Sequence, residues 1–291
     1  MPQTPTLNLL GAGRLGRSVG RLIATDREAV LQDVLTTRAD SAVSAVAFIG
    51  AGRAVHDLAA LRPADLWLLT PPDAVIAPLA MALAGTGLLR AGDVVCHCSG
   101  ALPSSLLAPL RAAGASVASM HPLKSFADPA ASAASFAGTW CTAEGDAAAL
   151  QCLQPLFERL GARVARMDAA GKTLYHAAAV LMCNDLVALL EAGLRSAEAA
   201  GLARGAALEM FAPLVRETLD NVFRLGPARA LTGPVLRGDA AVVQAQHGAL
   251  EALDPRLAGV YRALAVVALE LARAQGANPA ALAAVDAVLK K

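Results

Sequence analysis

The sequence predicts an α/β Rossmann domain, with a doubly wound and mostly parallel sheet, followed by an all-α C-terminal domain. In the first half, short apolar runs alternate with helical stretches, which is typical of parallel strands joined by crossover helices. After about Met167 the β-type runs stop, and helical periodicity continues to the end of the chain. The predicted boundary therefore separates a Rossmann domain at residues 1–165 from a helical domain at residues 166–291.

Eight short apolar segments, bounded by Gly, Pro or polar residues, are predicted as strands. They are Leu7–Leu10, Val30–Thr36, Val46–Ile49, Leu66–Thr70, Val94–His97, Ser116–Met120, Thr139–Ala143 and Arg163–Met167. The first domain is expected to have helices at Arg14–Thr25, Ala74–Leu83, Ser104–Ala112 and about Ala147–Leu160, with a surface loop at Asp128–Ser135. The second domain is expected to have helices at Ala169–Ala200, Arg204–Arg224, Ala240–Ala249, Pro255–Gln275 and Pro279–Leu289.

Composition argues against several classes of protein. The 25 basic and 24 acidic residues leave a formal charge of +1, which disfavours nucleic acid or an acidic membrane as the main partner. Hydrophobic residues make up 56% of the chain, yet its longest charge-free apolar stretch, Ala74–Leu89, is shorter than the ~20 residues of a membrane span. The first residues lack the basic region and cleavage site of a signal peptide. With five cysteines, an odd number, a reduced cytoplasmic setting is expected.

A glycine-rich turn follows the first predicted strand and opens a helix, which is where the dinucleotide-binding fingerprint occurs. Its residues are Gly11, Ala12, Gly13, Arg14, Leu15 and Gly16. Gly11 would allow the tight turn, Gly13 the approach of the backbone to a pyrophosphate, and Gly16 the packing of helix against strand. The helix N-terminus would supply amide donors and a positive dipole for the phosphates.

The end of the second strand favours NADP over NAD. An NAD site usually has an acidic residue there for the ribose 2′-hydroxyl. This chain has Thr36, Thr37 and Arg38 instead, which would accept a 2′-phosphate without repulsion. The alternative is that Arg38 is one more exposed arginine.

The loops after the fourth and fifth strands are expected to line the ligand crevice, because the carboxyl ends of parallel strands form it. Thr70 and Pro71 are predicted to face the cofactor, and Asp73 either to join them or to cap the next helix. After the fifth strand, Ser99 is placed to meet a nicotinamide or substrate.

A metal is not expected at Cys96, His97 and Cys98, because alternation points the two cysteines away from the histidine. The sequence also has no second CxxC or HxxxH pair to complete a tetrahedral site.

Polar residues at two further places are candidates for the chemistry. His121, held before Pro122 at the end of the sixth strand, is either a site residue or a structural hydrogen-bonding residue. On the first helix after the boundary, His176 and Asn184 share a face at four-residue steps, and Tyr175 is a candidate substrate contact beside them. The alternative is that these groups are satisfied within the core.

The loop Ala230–Asp239 is unusually polar and glycine-rich among apolar helices. Thr232 and Arg237 are predicted to bind an anionic substrate, since a guanidinium suits a carboxylate. Two alternatives remain open: an ion pair between Arg237 and Asp239, or a loop that only ends and caps helices.

Six motifs resemble one family over nearly the whole chain, from Leu7 to about Leu271. They are GAGRLG, TPPD, HCSGAL, HPLKSF, YHAAAVLMCND and ALTGPVLRGD. They are similar to those of the Rossmann-like proteins that carry the C-terminal domain of unknown function 2520, which are provisionally assigned as NADP-dependent oxidoreductases. The last four motifs are much more specific than the glycine fingerprint.

The resemblance implies a helical domain like those of ketopantoate reductase, pyrroline-5-carboxylate reductase and the 6-phosphogluconate and β-hydroxyacid dehydrogenases. In that wider group the helical domain often forms a homodimer, which is expected here too, and the active site lies in the interdomain cleft. One feature does not carry over. The β-hydroxyacid dehydrogenases and ketopantoate reductase have a proton-donating lysine four residues before an asparagine. Matching that asparagine to Asn184 puts Val180 at the place of the lysine, so that His176 or Tyr175 would have to replace it.

Together these features predict an NADP(H)-dependent oxidoreductase that acts on a small carbonyl- or imine-type metabolite. The residues expected to carry the chemistry are Ser99, His121, His176 and Asn184. The alternative, motivated by Val180, is a non-catalytic NADP(H)-binding sensor or scaffold.

Overall fold

The computed structural model describes residues 4–27 and 29–290 and divides the chain into two compact units. The sheet unit is Met1–Met182 and the helical unit is Cys183–Lys291. The boundary predicted at residue 165 coincides with the end of the sheet, and the sheet unit extends beyond it to Met182.

The sheet unit contains an eight-stranded sheet in the order β3-β2-β1-β4-β5-β6-β7-β8. The strands are β1 (Thr6–Leu10), β2 (Val30–Leu35), β3 (Arg53–Val55), β4 (Leu66–Leu69), β5 (Val94–His97), β6 (Ser116–Pro122), β7 (Trp140–Gly145) and β8 (Arg163–Arg166). The first six strands run parallel, β7 pairs antiparallel with β6, and β8 runs parallel with β7. This confirms the Rossmann topology, with its switch in strand order between β1 and β4.

The sheet is covered on both faces, which is why the central strand β4 is apolar throughout rather than alternating. On β4, Leu66 and Leu68 belong to one buried cluster, whereas Trp67 and Leu69 belong to the other. The helices of this unit are α1 (Arg14–Asp26), α2 (Ala39–Ile49), α3 (Asp73–Ala84), α4 (Ala108–Ala112), α5 (Pro129–Ala134), α6 (Ala147–Arg159) and α7 (Lys172–Ala179). Short 3₁₀ turns lie at Leu58–Ala60, Ser104–Leu107 and Ala169–Gly171.

The strand predicted at Val46–Ile49 is wrong, because these residues form the last turn of α2. The buried residues of that helix, Ala42, Ala45 and Ile49, recur at helical spacing. The third strand along the chain is instead the short β3, which pairs with β2. Four apolar residues alone could not distinguish a buried strand from the end of a helix.

The surface loop predicted at Asp128–Ser135 is also wrong, because most of it forms α5. Asp128 accepts a hydrogen bond from the backbone N–H of Ala131 at 2.7 Å, and Pro129 occupies the first helical position. An N-cap followed by Pro is a helix-start signal, which the Ala- and Ser-rich composition obscured.

The helical unit consists of α8 (Asp185–Ala199), α9 (Arg204–Leu225), α10 (Pro227–Ala230), α11 (Pro234–Arg237), α12 (Ala240–Leu253), α13 (Pro255–Ala274) and α14 (Pro279–Leu289). Its buried core is formed by apolar residues of α11 to α14, including Val243, Leu269 and Val285. A π-helical turn at Val180–Asn184 separates α7 from α8. The α-helical four-residue repeat predicted through His176, Val180 and Asn184 is therefore interrupted, because a π turn adds a residue to the helical turn.

By length and composition, one helical stretch could cross a membrane. Ala169–Ala199 is 31 residues long, its most apolar window has a mean hydropathy of 1.7, and none of that window is buried in the described chain. An apolar helix that is covered by another protein chain has the same properties. The absence of a membrane partner therefore stays a prediction.

Candidate functional site

The glycine turn after β1 is packed against the start of the loop after β4. Gly11 has a φ of +91°, and a Cβ atom there would lie 2.6 Å from the backbone N of Pro71. The hydroxyl of Thr70 donates to the Gly11 carbonyl, and a Cβ on Gly16 would collide with that hydroxyl. Thr70 and Pro71 thus shape the turn, and their contact with the cofactor stays a prediction.

The second glycine of the turn, Gly13, has a different environment. In the part of the chain that the structure describes, no atom outside its immediate neighbours lies within 4 Å of a Cβ built on Gly13. Gly13 is the N-cap of α1 and has no side chain that could cap the helix. The first turn, which begins with Arg14 and Leu15, contains no acidic residue. An open space above free helical N–H groups fits a pyrophosphate.

Two arginines flank this turn. Arg38 lies just after β2, with 73% of its side chain exposed, and it pairs with Asp40. Thr37 is exposed beside it. Sequence reasoning missed Arg17, which donates to the Ala12 carbonyl at 3.1 Å and to the Ser44 hydroxyl at 3.2 Å. Arg17 thereby holds the turn against α2.

The loop after β5 is fixed by a network of hydrogen bonds. Ser99 Oγ donates to Asp73 Oδ2 at 3.0 Å and accepts from the N–H groups of Ala101 and Leu102. The N–H of Ser99 donates to His97 Nδ1 at 3.1 Å. The Ser99 side chain is therefore engaged in loop structure, and Asp73 bonds this loop instead of capping α3.

Two histidines and a tyrosine meet at Gly100, which directly follows Ser99. His121 Nδ1 lies 3.1 Å from the Tyr175 hydroxyl, and the rings of His121 and His176 have centroids 5.9 Å apart. A Cβ on Gly100 would lie 2.8 Å from both His121 Nε2 and His176 Nδ1. The structure thus brings together three predicted site residues in the sheet unit.

One polar atom of this cluster lacks a partner in the described chain, and burial favours the uncharged forms of His121 and Tyr175. His176 Nδ1 is buried without a hydrogen-bond partner among the described residues, and a buried unpaired nitrogen is uncommon. Burial lowers the pKa of His121 to about 4, with the positive charge of Lys172 and the neighbouring His176 acting in the same direction. Burial raises the pKa of Tyr175, so its hydroxyl keeps its proton near neutral pH.

Lys172 is not among the candidates of the sequence analysis, yet its ammonium is hydrogen-bonded to the loop that carries Gly100. Lys172 is only 1% exposed and donates to the Ser99 carbonyl and to the Ser119 hydroxyl. The available signal was its rarity, since the chain has only four lysines.

The remaining candidates lie in the helical unit. Asn184 closes the π turn and is exposed, and Thr232 is exposed in the loop before α11. Arg237 pairs with Asp239 at 2.8 Å, which was one of the alternatives, and Gly233 and Gly238 flank α11. The catalytic role of Asn184 and the substrate-binding roles of Thr232 and Arg237 stay predictions.

In the described ranges, no group of three or more His, Cys, Asp or Glu side chains is arranged to hold a metal. Cys96 and Cys98 lie together in one apolar cluster, as strand alternation predicts.

Solved structures share this fold across most of the chain. A Bacteroides fragilis protein provisionally assigned as an NADP oxidoreductase has a TM-score of 0.74 at 21% identity, covering 91% of this chain and 97% of its own. A Thermotoga maritima protein has a TM-score of 0.71 at 26% identity, with 92% and 99% covered. An imine reductase from Myxococcus stipitatus, in complex with NADP+, has a TM-score of 0.64 at 19% identity, with 93% and 95% covered. No curated protein matches the chain.

Two family models match successive parts of the sequence. The Rossmann-like domain model matches residues 3–122, and the model of the domain of unknown function DUF2520 matches residues 139–267. Together they account for most of the chain and contain five of the six motifs that carried the resemblance, while HPLKSF lies mostly between them. The chain belongs to the family in which a Rossmann-like domain is joined to DUF2520.

Proposed function

We propose that the protein is an NADP(H)-dependent oxidoreductase that reduces or oxidises a small carbonyl- or imine-type metabolite. The observation that carries this proposal is the convergence of His121 Nε2 and His176 Nδ1 on Gly100, at the same sheet edge as the glycine turn. The loops after β1, β4, β5 and β6 follow one another along that edge, because these strands are neighbours in the sheet. A dinucleotide in the crevice would extend along these loops.

The residues at Gly100 are suited to hold and move a proton. When Tyr175 donates to His121 Nδ1, the neutral imidazole carries its proton on Nε2, the nitrogen that faces Gly100. His121 can therefore pass its Nε2 proton to a carbonyl oxygen or imine nitrogen as its Nδ1 takes the proton of Tyr175, which leaves a tyrosinate that water reprotonates. The unpaired His176 Nδ1 offers a second contact to the same group. A bound nicotinamide would supply or accept the hydride at the adjacent carbon.

This function is tested by NADPH oxidation against a panel of small ketones, aldehydes and cyclic imines, with NADPH binding measured separately by fluorescence titration. We expect turnover with at least one substrate class, and at least a 100-fold loss of kcat in His176→Ala and His121→Gln. Tyr175→Phe should lose less, since water can resupply the proton. Tight NADPH binding without turnover on any substrate would contradict the proposal and favour the sensor.

We infer that the preferred cofactor is NADPH, because Arg38 and Thr37 follow β2 where an NAD site usually has a carboxylate. The pair with Asp40 is exposed and can open at little cost. Arg38→Ala should weaken NADPH binding by roughly 10-fold or more and leave NADH binding nearly unchanged. Asp40→Asn, which frees Arg38, should preserve the preference for NADPH. Equal affinity of the wild-type protein for both cofactors would contradict this inference.

We also propose that the helical unit forms a homodimer. Met210 and Leu214, one turn apart on α9, are each more than half exposed, and an apolar cavity of about 330 Å³ lies between α8 and α9. So much exposed apolar surface indicates a protein interface. The wild-type protein should have the mass of a dimer by light scattering, and Met210→Asp with Leu214→Asp that of a monomer. Val43→Asp, an exposed position on α2, is the control that should leave the mass unchanged. A monomeric wild-type protein would overturn the proposal.

A further inference from the structure

Lys172 is a buried cation in a chain that has almost no lysine. It is the first residue of α7, and three and four residues later the same helix carries Tyr175 and His176. Its side chain is 1% exposed. An ammonium group is costly to remove from water unless it is paired and hydrogen-bonded, so its surroundings must compensate that cost.

The contacts of Lys172 join this helix to β6, to the loop after β5 and to β7. Its Nζ atom donates to Ser119 Oγ on β6 at 2.7 Å and to the Ser99 carbonyl after β5 at 2.9 Å. Glu144 Oε1 on β7 lies 3.9 Å away. Glu144 is held in turn, because its two oxygens accept from the N–H and the hydroxyl of Ser104 at 2.7 Å each.

The geometry points to Lys172 as a positioning residue of the candidate active site, one that ties the helix carrying Tyr175 and His176 to the loop that presents Gly100. This inference rests on the proposed function, in that the site it serves is the histidine cluster. Gly100 directly follows the carbonyl that Lys172 holds. A shift of this loop would therefore change the distance between Gly100 and both imidazoles, and a shift of α7 would change the distance between Gly100 and His176.

The charge of Lys172 has a second effect on the same cluster. After burial, it is the next largest cause of the lowered pKa values of His97 and His121, both about 4. The other titratable groups that face this region are Glu144 on β7, Asp73 on α3, and Tyr175 and His176 on α7. Burial raises the pKa of the Cys96, Cys98 and Cys141 thiols, which stay uncharged near neutral pH. The lysine thus favours the neutral imidazole that accepts the Tyr175 hydrogen bond.

The test compares three variants with the wild-type protein. Lys172→Met removes the charge at similar length, Lys172→Arg keeps it, and Lys290→Met removes an exposed lysine that directly follows α14 and pairs with Asp286. The main measurement is the NMR titration of the His121 imidazole, which is tractable because the chain has only five histidines. A His121→Gln protein assigns its signal.

We expect Lys172→Met to raise the titration midpoint of His121 by about one pH unit. Lys172→Arg and Lys290→Met should leave it within a few tenths of a unit. If Lys172→Met does not fold, Glu144→Gln tests the same electrostatic effect in the opposite direction. The loss of this negative charge should lower the titration midpoint of His121. A folded Lys172→Met protein, or a Glu144→Gln protein in its place, with an unchanged midpoint would overturn the inference.

This titration needs neither cofactor nor substrate, so it stands or falls separately from the proposed function. Where turnover is found, Lys172→Met should lower kcat by about 10-fold or more while the Kd for NADPH stays within about twofold. Lys172→Arg should recover part of the loss. A parallel loss of kcat and NADPH affinity would indicate general disruption and contradict a positioning role.

Discussion

The sheet unit and the helical unit differ in what they bury. Within the described residues, every buried polar or charged side chain except Asp254 belongs to the sheet unit. The helical unit instead leaves large apolar side chains exposed on its helices, among them Val187, Leu208 and Phe223. One unit hides polar groups from water, and the other presents apolar groups to it.

The difference indicates two distinct tasks. Buried polar groups cost free energy unless they are hydrogen-bonded. Their concentration around β5, β6 and α7 therefore indicates a functional site, where residues are selected for chemistry at some cost in stability. Exposed apolar surface costs solubility unless another surface covers it. The sheet unit therefore carries the candidate chemistry, and the helical unit carries the candidate interface.

The largest expected effect tests whether the sheet unit is well packed around its polar centre. Leu68 is 2% exposed in the middle of the sheet, and Leu68→Ala should lower the free energy of unfolding by about 2–5 kcal/mol. Val43→Ala, at an exposed position on α2, should change it by less than about 0.5 kcal/mol. Urea denaturation measures both. Equal costs at the two positions would mean that the core of this unit is not close-packed.

Acid should destabilise the fold through the buried histidines of the sheet unit. The pKa of His97 falls from 6.5 to about 4 on folding, mainly through burial. Between these values the unfolded chain binds the proton more readily, so the free energy of unfolding should fall as the pH drops from 6.5 to about 4. The full effect for His97 is about 3 kcal/mol, and His121 adds to it in the same window.

This pH dependence is measured by urea denaturation at neutral pH and at about pH 4.5. His97→Gln is the informative comparison, because it removes one of the two titrating groups and should flatten the curve. A wild-type stability that is flat across this window would show that these histidines are not held neutral.

The smallest effect on stability, with a large one on activity, is expected at Gly100. A Cβ there would lie 2.7 Å from His121 Cε1, so Gly100→Ala should cost about 1–3 kcal/mol of stability by overpacking. It should also lower kcat by about 100-fold, because it displaces both imidazoles. The matched control in the helical unit is Gly193→Ala on α8, where a Cβ meets no described atom within 4 Å.

Gly193→Ala should be neutral or should stabilise the protein by up to about 1 kcal/mol, since alanine favours helix. Similar responses at Gly100 and Gly193 would remove the distinction between a filled site and an open helix face.

Much of the sheet unit could be predicted from local patterns, and the failures have physical reasons. The glycine turn and the strand ends were found because Gly11, Thr70 and His121 occupy positions that Rossmann topology fixes. The contacts of Lys172 could not be predicted, because its partners Ser99 and Ser119 lie more than 50 residues away in sequence. The π turn at Val180–Asn184 could not be predicted from hydrophobic periodicity either. A single turn with one additional residue has no distinctive composition, so the sequence carries no signal for it.

The reversal of β7 has a consequence for redesign of the protein. Because β7 runs antiparallel to β6, the site edge of the sheet is formed by the carboxyl ends of the earlier strands and by the beginning of β7 near Trp140. The loop after β7, at Gly145 and Asp146, lies toward the opposite edge, where Asp146 bonds the start of β6. Libraries meant to alter substrate preference should therefore vary the loops after β5 and β6 and the residues that lead into β7. Changes after β7 would alter stability and leave specificity as it is.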